Sequence, residues 1–250
     1  MIVFLMYMLI FVLGTVIGSF LNVVIYRVPK NISVARGRSY CPKCKTGIKS
    51  YDLLPVLSYL FIRGRCRACG AEISPRYPII ELLTGALAVF ALHFFGFNID
   101  AAFIFLLGCV LICITMVDFD TLTIPDQLIV SLIPLAAAAA FLYPEVGIVS
   151  RIIGFFAVSL PMYLSLYLIE DGFGGADIKL FAVLGFMAGW QNTLLMLFIS
   201  IVTGAVYGLG VKFFKSSGSR HIPFAPFICL GAFAAILFGN NIIGWYISLF

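Results

Sequence analysis

Two aspartates stand at the edges of apolar runs. Asp118 lies in Val117-Asp118-Phe119-Asp120-Thr121-Leu122-Thr123-Ile124-Pro125-Asp126, and Asp177 in Gly174-Gly175-Ala176-Asp177-Ile178-Lys179. An ionisable group near membrane depth is costly, which makes it a functional candidate. A pair of carboxylates can hydrolyse a peptide without a metal. One, ionised, takes a proton from water; the other, neutral, donates to the carbonyl oxygen. Two close carboxylates do not both ionise cheaply, so their titrations split. Ion translocation and helix capping are the other uses open to such acids. Gly172, Gly174 and Gly175 let the chain turn tightly and let a substrate backbone approach. Asp120, Glu170 and Asp171 read as solvated. Thr123-x-x-Asp126 with Pro125 reads as a helix start with a capping box, which makes Asp126 structural. Glu81, about four residues inside its apolar run, could cap, line a site or serve a second activity.

Four of the seven cysteines form Cys41-Pro-Lys-Cys44 and Cys66-Arg-Ala-Cys69. Each CxxC lets two thiolates grip one tetrahedral zinc, and two pairs close a structural site with no open position. Gly47 and Gly70 suit the turns that aim backbone amides at the sulfurs. Two disulfides are the alternative, and they would need an oxidising compartment. Such a zinc site organises a small domain and does no hydrolysis itself. Cys109, Cys113 and Cys229 fall within apolar runs and read as ordinary buried residues.

The elements that must position these groups follow from composition. The 250 residues are 62% hydrophobic and 11% charged, against about 25% charged in soluble domains. That excludes a soluble globular enzyme, a disordered chain and a nucleic-acid module built on surface charge. The fold class expected is an all-α polytopic membrane protein. Apolar runs over residues 1–26, 78–97, 101–117, 128–143, 152–169, 178–190, 193–211 and 224–238 give about eight transmembrane helices. The last is expected to continue as an interfacial stretch to Phe250. The first run precedes the first cation, Arg27, so it reads as a retained helix rather than a signal peptide.

Putting the basic loop in the cytoplasm and alternating sides leaves 15 of the 16 cations inside and only Arg151 outside, an N-out/C-out arrangement. The net charge of +5 is then an uneven sum. Residues 27–76 carry +9 and the remainder −4. The domains expected are the first helix (1–26), a small basic cytoplasmic zinc module built on four cysteines (27–77), and helices 2–8 with the carboxylates (78–250). Reducing cytoplasm favours metal over disulfides. The module's cations suit anionic membrane lipid on the inner leaflet, a better partner in this setting than nucleic acid.

With these motifs in hand, the chain resembles the bacterial prepilin peptidases, the type IV leader peptidase family of membrane aspartic proteases. Residues 18–29 (GSFLNVVIYRVP) are similar to the family's opening motif. The CxxC pairs, with Arg63-Gly64-Arg65-Cys66 and residues 73–81 (ISPRYPIIE), follow the family as well. Asp118, seven residues before Pro125, matches the first catalytic aspartate, and Asp177 matches the one ending the Gly-x-Gly-Asp motif. Ala176 departs from that motif, and the turn survives if its φ is negative. The resemblance implies cleavage of the basic leader of type IV prepilins or type II secretion pseudopilins, after a glycine, at the cytoplasmic membrane face. It also implies N-methylation of the new N-terminus by S-adenosylmethionine, with Gly64 and Arg65 as candidates to support it.

Two further expectations follow from charge. Asp118 would follow the C-terminal end of its helix and Asp177 precede the N-terminal end of another, so helix dipoles make Asp177 the base and Asp118 the proton donor. The inner loops gather Asp118, Asp120, Asp126, Glu170, Asp171 and Asp177 against Lys179, a patch that would steer a basic leader. A proton- or cation-coupled transporter using the same carboxylates is the rival reading, and a membrane scaffold docking partners through the zinc module a third.

Overall fold

Stretches too apolar to stay in water satisfy their own backbone by becoming helical. The computed structural model describes residues 1–167, 174–214 and 223–249. Among these, regular structure is helical, with only two isolated β-bridges. The helices are α1 (Ile2–Arg27), α2 (Leu57–Phe61), α3 (Arg76–Phe95), α4 (Ile99–Thr121), α5 (Asp126–Leu142), α6 (Ile148–Ser165), α7 (Gly175–Ala188), α8 (Trp190–Phe214) and α9 (Ala225–Ile247), with short 3₁₀ turns at Val28–Lys30 and Ser50–Leu53.

All eight apolar runs appear as helices, but their lengths differ. Six helices, α1, α3, α4, α6, α8 and α9, are long and apolar enough to cross a membrane. At 17 and 14 residues, α5 and α7 are shorter; at 1.5 Å per residue, α7 reaches only ~21 Å. The expected run 178–190 is cut at Gly189, whose φ of +79° ends α7 before Trp190 opens α8. α4 runs on to Thr121, so Asp118 is helical rather than part of a loop. α9 continues to Ile247 without a break. Glu170, Asp171, Gly172, Lys215, Arg220 and Phe250 lie outside the described residues.

The chain divides into two compact units, Met1–Cys113 and Ile114–Phe250, the division falling inside α4. In the first unit α1 packs along α3. Their backbones meet at Gly14 and Gly18, a small-xxx-small pair of the kind that brings membrane helices close. A Cβ on Gly18 would come 2.7 Å from the Glu81 Cα, and one on Gly14 2.8 Å from the Ala88 Cβ. Arg27 closes α1 and is buried. Its guanidinium donates to the carbonyls of Ser33, Arg36, Gly37 and Arg38 at 2.7–3.3 Å, folding the loop before the first CxxC over itself.

In the second unit α6 packs on α7 and α8, α8 on α9, and α7 also meets α5 and α9. Gly154 and Gly185 touch backbone to backbone, so neither site has room for a side chain. Arg151, the one cation expected outside, is 2% exposed. It donates to Ala139 and Tyr143 at the end of α5 and to Phe186 and Met187 at the end of α7, at 2.7–3.2 Å. Four carbonyls at two helix ends, of which Ala139 also accepts the Tyr143 N–H, therefore share one guanidinium.

Candidate active site

Asp118 sits three residues before the end of α4 and is 5% exposed. Its Oδ2 accepts the Ala225 N–H at 3.1 Å. Ala225 is the first residue of α9, with Phe224 as its N-cap and Pro226 behind it, so a free helical N–H points at the carboxylate. Asp177 is in the first turn of α7. Its side chain folds back over Gly174, where a Cβ would stand 3.2 Å from its Oδ2, and the Gly174 amide faces the carboxylate. Gly175 is open on its Cβ side. Ala176 lies inside α7 and has no positive φ, so its methyl group costs the turn nothing.

The two carboxylates share one electrostatic neighbourhood. The charge of Asp118 acts on Asp177, and the Cys229 thiol, one turn into α9, feels both. Each carboxylate thus faces one backbone amide and meets the N-terminal end of a helix, α9 for Asp118 and α7 for Asp177. Both ends favour negative charge. This corrects the expectation that dipoles set the two apart, which counted only the helix carrying each aspartate. A proton taken up there would be shared by the pair rather than owned by either residue.

The acids around the dyad differ from expectation in one respect. The capping box at Thr123 does not form. Pro125 is the N-cap of α5 without a side-chain bond, and the Thr123 hydroxyl turns to that of Thr121 at 3.1 Å. Asp126 instead pairs with Lys179 at 2.7 Å, tying the start of α5 to the second turn of α7. Both partners are well exposed, so the pair orients more than it stabilises. Asp120 is exposed near the end of α4. Leu122, with φ +53°, turns the chain out of α4 in a conformation bulky residues seldom adopt.

In the first unit the sulfurs of Cys41, Cys44, Cys66 and Cys69 lie within 4.8 Å of one another, and all four are free thiols. A tetrahedral zinc with bonds of about 2.3 Å would separate its sulfurs by ~3.8 Å; Cys41 and Cys69 stand 3.9 Å apart. The residues fit a closed four-thiolate zinc. Each pair rides a small hairpin, closed by a bridge at Tyr40–Gly47 or Arg65–Glu72. The residue after each second cysteine takes a left-handed conformation, Lys45 with φ +58° and Gly70 with φ +70°. The first turn is thus made by Lys45, and Gly47 serves the bridge. Hydrogen bonds from Thr46 pull the Cys44 thiol down to about 6, and the Cys69 and Ala68 amides lower Cys66.

Gly64 is buried with φ +64°, and a Cβ there would meet the Tyr59 ring at 2.9 Å. Glycine is required by backbone and by space at that point. The Arg65 side chain is well exposed, 4.0 Å from Glu72. Sequence reasoning missed Ala225, while Cys229 is buried as expected. The phrase Pro223-Phe224-Ala225-Pro226 carries a helix-start signal, but nothing local says which carboxylate that start will meet.

The chain matches the family profile described as bacterial peptidase A24 N-terminal domain over residues 12–95, and that of the type IV leader peptidase family over residues 104–209. It is 33% identical over 242 residues to a prepilin leader peptidase/N-methyltransferase of Bacillus subtilis (strain 168), covering 96% of this chain and 98% of that one. Proteins of the same description in Legionella pneumophila (32%, covering 97% and 95%) and Aeromonas salmonicida (strain A449) (34%, covering 96% and 93%) are similar throughout. No solved structure matches significantly.

Proposed function

The chain belongs to the type IV leader peptidase family, and we propose that it cleaves the basic leader of type IV prepilins or type II secretion pseudopilins after a glycine. The observation that carries this is the meeting of Asp118 and Asp177 in one electrostatic neighbourhood at helix N-termini. With one proton shared, the ionised carboxylate takes a proton from water as its oxygen attacks the scissile carbonyl. The protonated partner donates to the carbonyl oxygen. Collapse of the tetrahedral intermediate then breaks the C–N bond, and a carboxyl proton passes to the leaving amine.

The dyad acts at the cytoplasmic face of the bacterial inner membrane in this reading, which the cation bias supports. Acids at the end of α4 and the start of α7, rather than in mid-helix, favour hydrolysis over a transporter's relay. Exposed Asp120, with Asp171, adds to a field that steers basic leaders. Their double neutralisation is expected to raise KM and flatten its salt dependence.

The second activity is methyl transfer to the new N-terminus. The neutral amine takes the methyl group of S-adenosylmethionine, leaving S-adenosylhomocysteine and releasing a proton. Gly64 and Arg65 beside the second CxxC are the residues assigned to support it, and a structural zinc on Cys41, Cys44, Cys66 and Cys69 holds that segment in shape. Asp118→Asn and Asp177→Asn are each expected to abolish cleavage of a purified prepilin, with the protein still inserted in the membrane. Full cleavage by either variant would refute the reading.

A further inference from the structure

One buried carboxylate belongs to neither site. Glu81, in α3, is 8% exposed and accepts the Val56 N–H at 2.8 Å through Oε2; the Ser19 hydroxyl of α1 faces the same carboxylate. These partners fix a height. Glu81 lies five residues after the start of α3 and Ser19 eight before the end of α1. At 1.5 Å per residue, Val56 is held roughly 8–12 Å inside the ends of two membrane helices. It is held there at φ +60° and ψ −51°, the centre of a tight turn in which Leu57 N–H bonds to the Pro55 carbonyl, unusual for a β-branched residue. Such strain persists where its surroundings impose it.

The chain on either side of Val56 is exposed and apolar. Leu53, Leu54, Leu57, Leu60 and Phe61 are 43–80% exposed, Phe61 most of all. A cluster of this kind on a module otherwise rich in charge marks a contact surface. Cations flank it: Lys43, Lys45 and Lys49 before, Arg63, Arg65 and Arg67 after, all exposed. An apolar stretch bordered by Lys and Arg is the composition of a segment lying in the boundary between headgroups and acyl chains. Its depth and charge together select lipid as the occupant.

We propose that residues 53–61 are an interfacial anchor, their apolar side chains entering the leaflet where α1 ends and α3 begins. Glu81 sets the depth of insertion through Val56, and the neighbouring cations meet anionic headgroups. The anchor fixes the cysteine module against the membrane, and its existence does not depend on the peptidase reading.

Tryptophan fluorescence tests it. With Trp190→Phe and Trp245→Phe as background, Leu60→Trp, Phe61→Trp and Glu72→Trp are made singly. Each variant is reconstituted into phosphatidylglycerol vesicles brominated near the headgroup end of the acyl chains. Quenching at positions 60 and 61 is expected to exceed that at 72 severalfold; equal quenching at all three overturns the proposal. Zinc content checks that the module remains folded. Glu81→Ala in the Leu60→Trp chain should cut the quenching at least twofold, and unchanged quenching would remove Glu81 from the anchor. A photoreactive benzoylphenylalanine at Phe61, illuminated in the presence of a prepilin, should label lipid. A crosslink to the prepilin, or to another part of this chain, would overturn the choice of lipid.

Discussion

Asp118 leaves α4 at an end whose carbonyls oppose negative charge, yet it meets the Ala225 N–H at 3.1 Å. That bond favours the ionised form, so removing it shifts the dyad toward taking up a second proton. Cleavage needs one carboxylate ionised, and the acid limb of the pH–rate profile marks uptake of that second proton. Ala225→Pro deletes the donor at the first helical position, where proline is best tolerated. A hydrogen bond to a charged group is worth about 1.5–3 kcal/mol, and each pH unit about 1.4. The acid limb of kcat/KM should therefore move up by about 1–2 pH units, while Ala225→Gly, which keeps the N–H, leaves it in place. A limb that stays put in Ala225→Pro would reduce the contact to packing. The aspartates themselves were legible because charge at the edge of an apolar run stands out. Ala225 was not, since a backbone amide 107 positions away has no local pattern to betray it.

Among the elements, the eight apolar runs were legible, and their ends were not. Hydropathy reports where a chain avoids water, whereas helix ends here are set by neighbours. Gly189 breaks the run between α7 and α8, and a Cβ there would meet the Val146 side chain at 2.7 Å. The Arg151 guanidinium takes up the carbonyls that end α5 and α7. The charge count that placed Arg151 on the outer side missed that role, because a sum of cations does not see which are buried. Arg151→Gln would leave several of those carbonyls without a donor. Each unsatisfied buried group costs about 1–3 kcal/mol, so the variant is expected to lose at least ~3 kcal/mol. A fall of several degrees in Tm, measured in detergent micelles, is the check; an unchanged Tm would mean that water or lipid headgroups serve those carbonyls equally well. Because α7 carries Asp177 at its other end, cleavage should fall with the same variant well below its Tm.

At the scale of the whole chain, the division inside α4 puts the two groups of candidate residues in different units. Asp118, Asp177, Ala225 and Cys229 all belong to the second, and the four thiols, Gly64, Arg65 and residues 53–61 to the first. The sequence separates a basic cysteine module from an acidic region by charge; contacts between helices divide the chain elsewhere, inside α4. A unit that keeps its own internal contacts should tolerate damage to the other. A small module with little core of its own would be held by a metal on its four thiols, so Cys41→Ser should abolish zinc binding and open residues 28–75 to protease. The half carrying the dyad should stay protected, and leader cleavage should fall less than tenfold, whereas methyl transfer to the cleaved N-terminus should be lost. Asp118→Asn gives the reverse: no cleavage of a full prepilin, yet methylation of a peptide supplied already cut. Zinc content by elemental analysis, protease mapping and mass spectrometry of the product N-terminus measure the three quantities. Loss of both activities in Cys41→Ser, with the second half still protected, would mean that cleavage needs the module to present the leader.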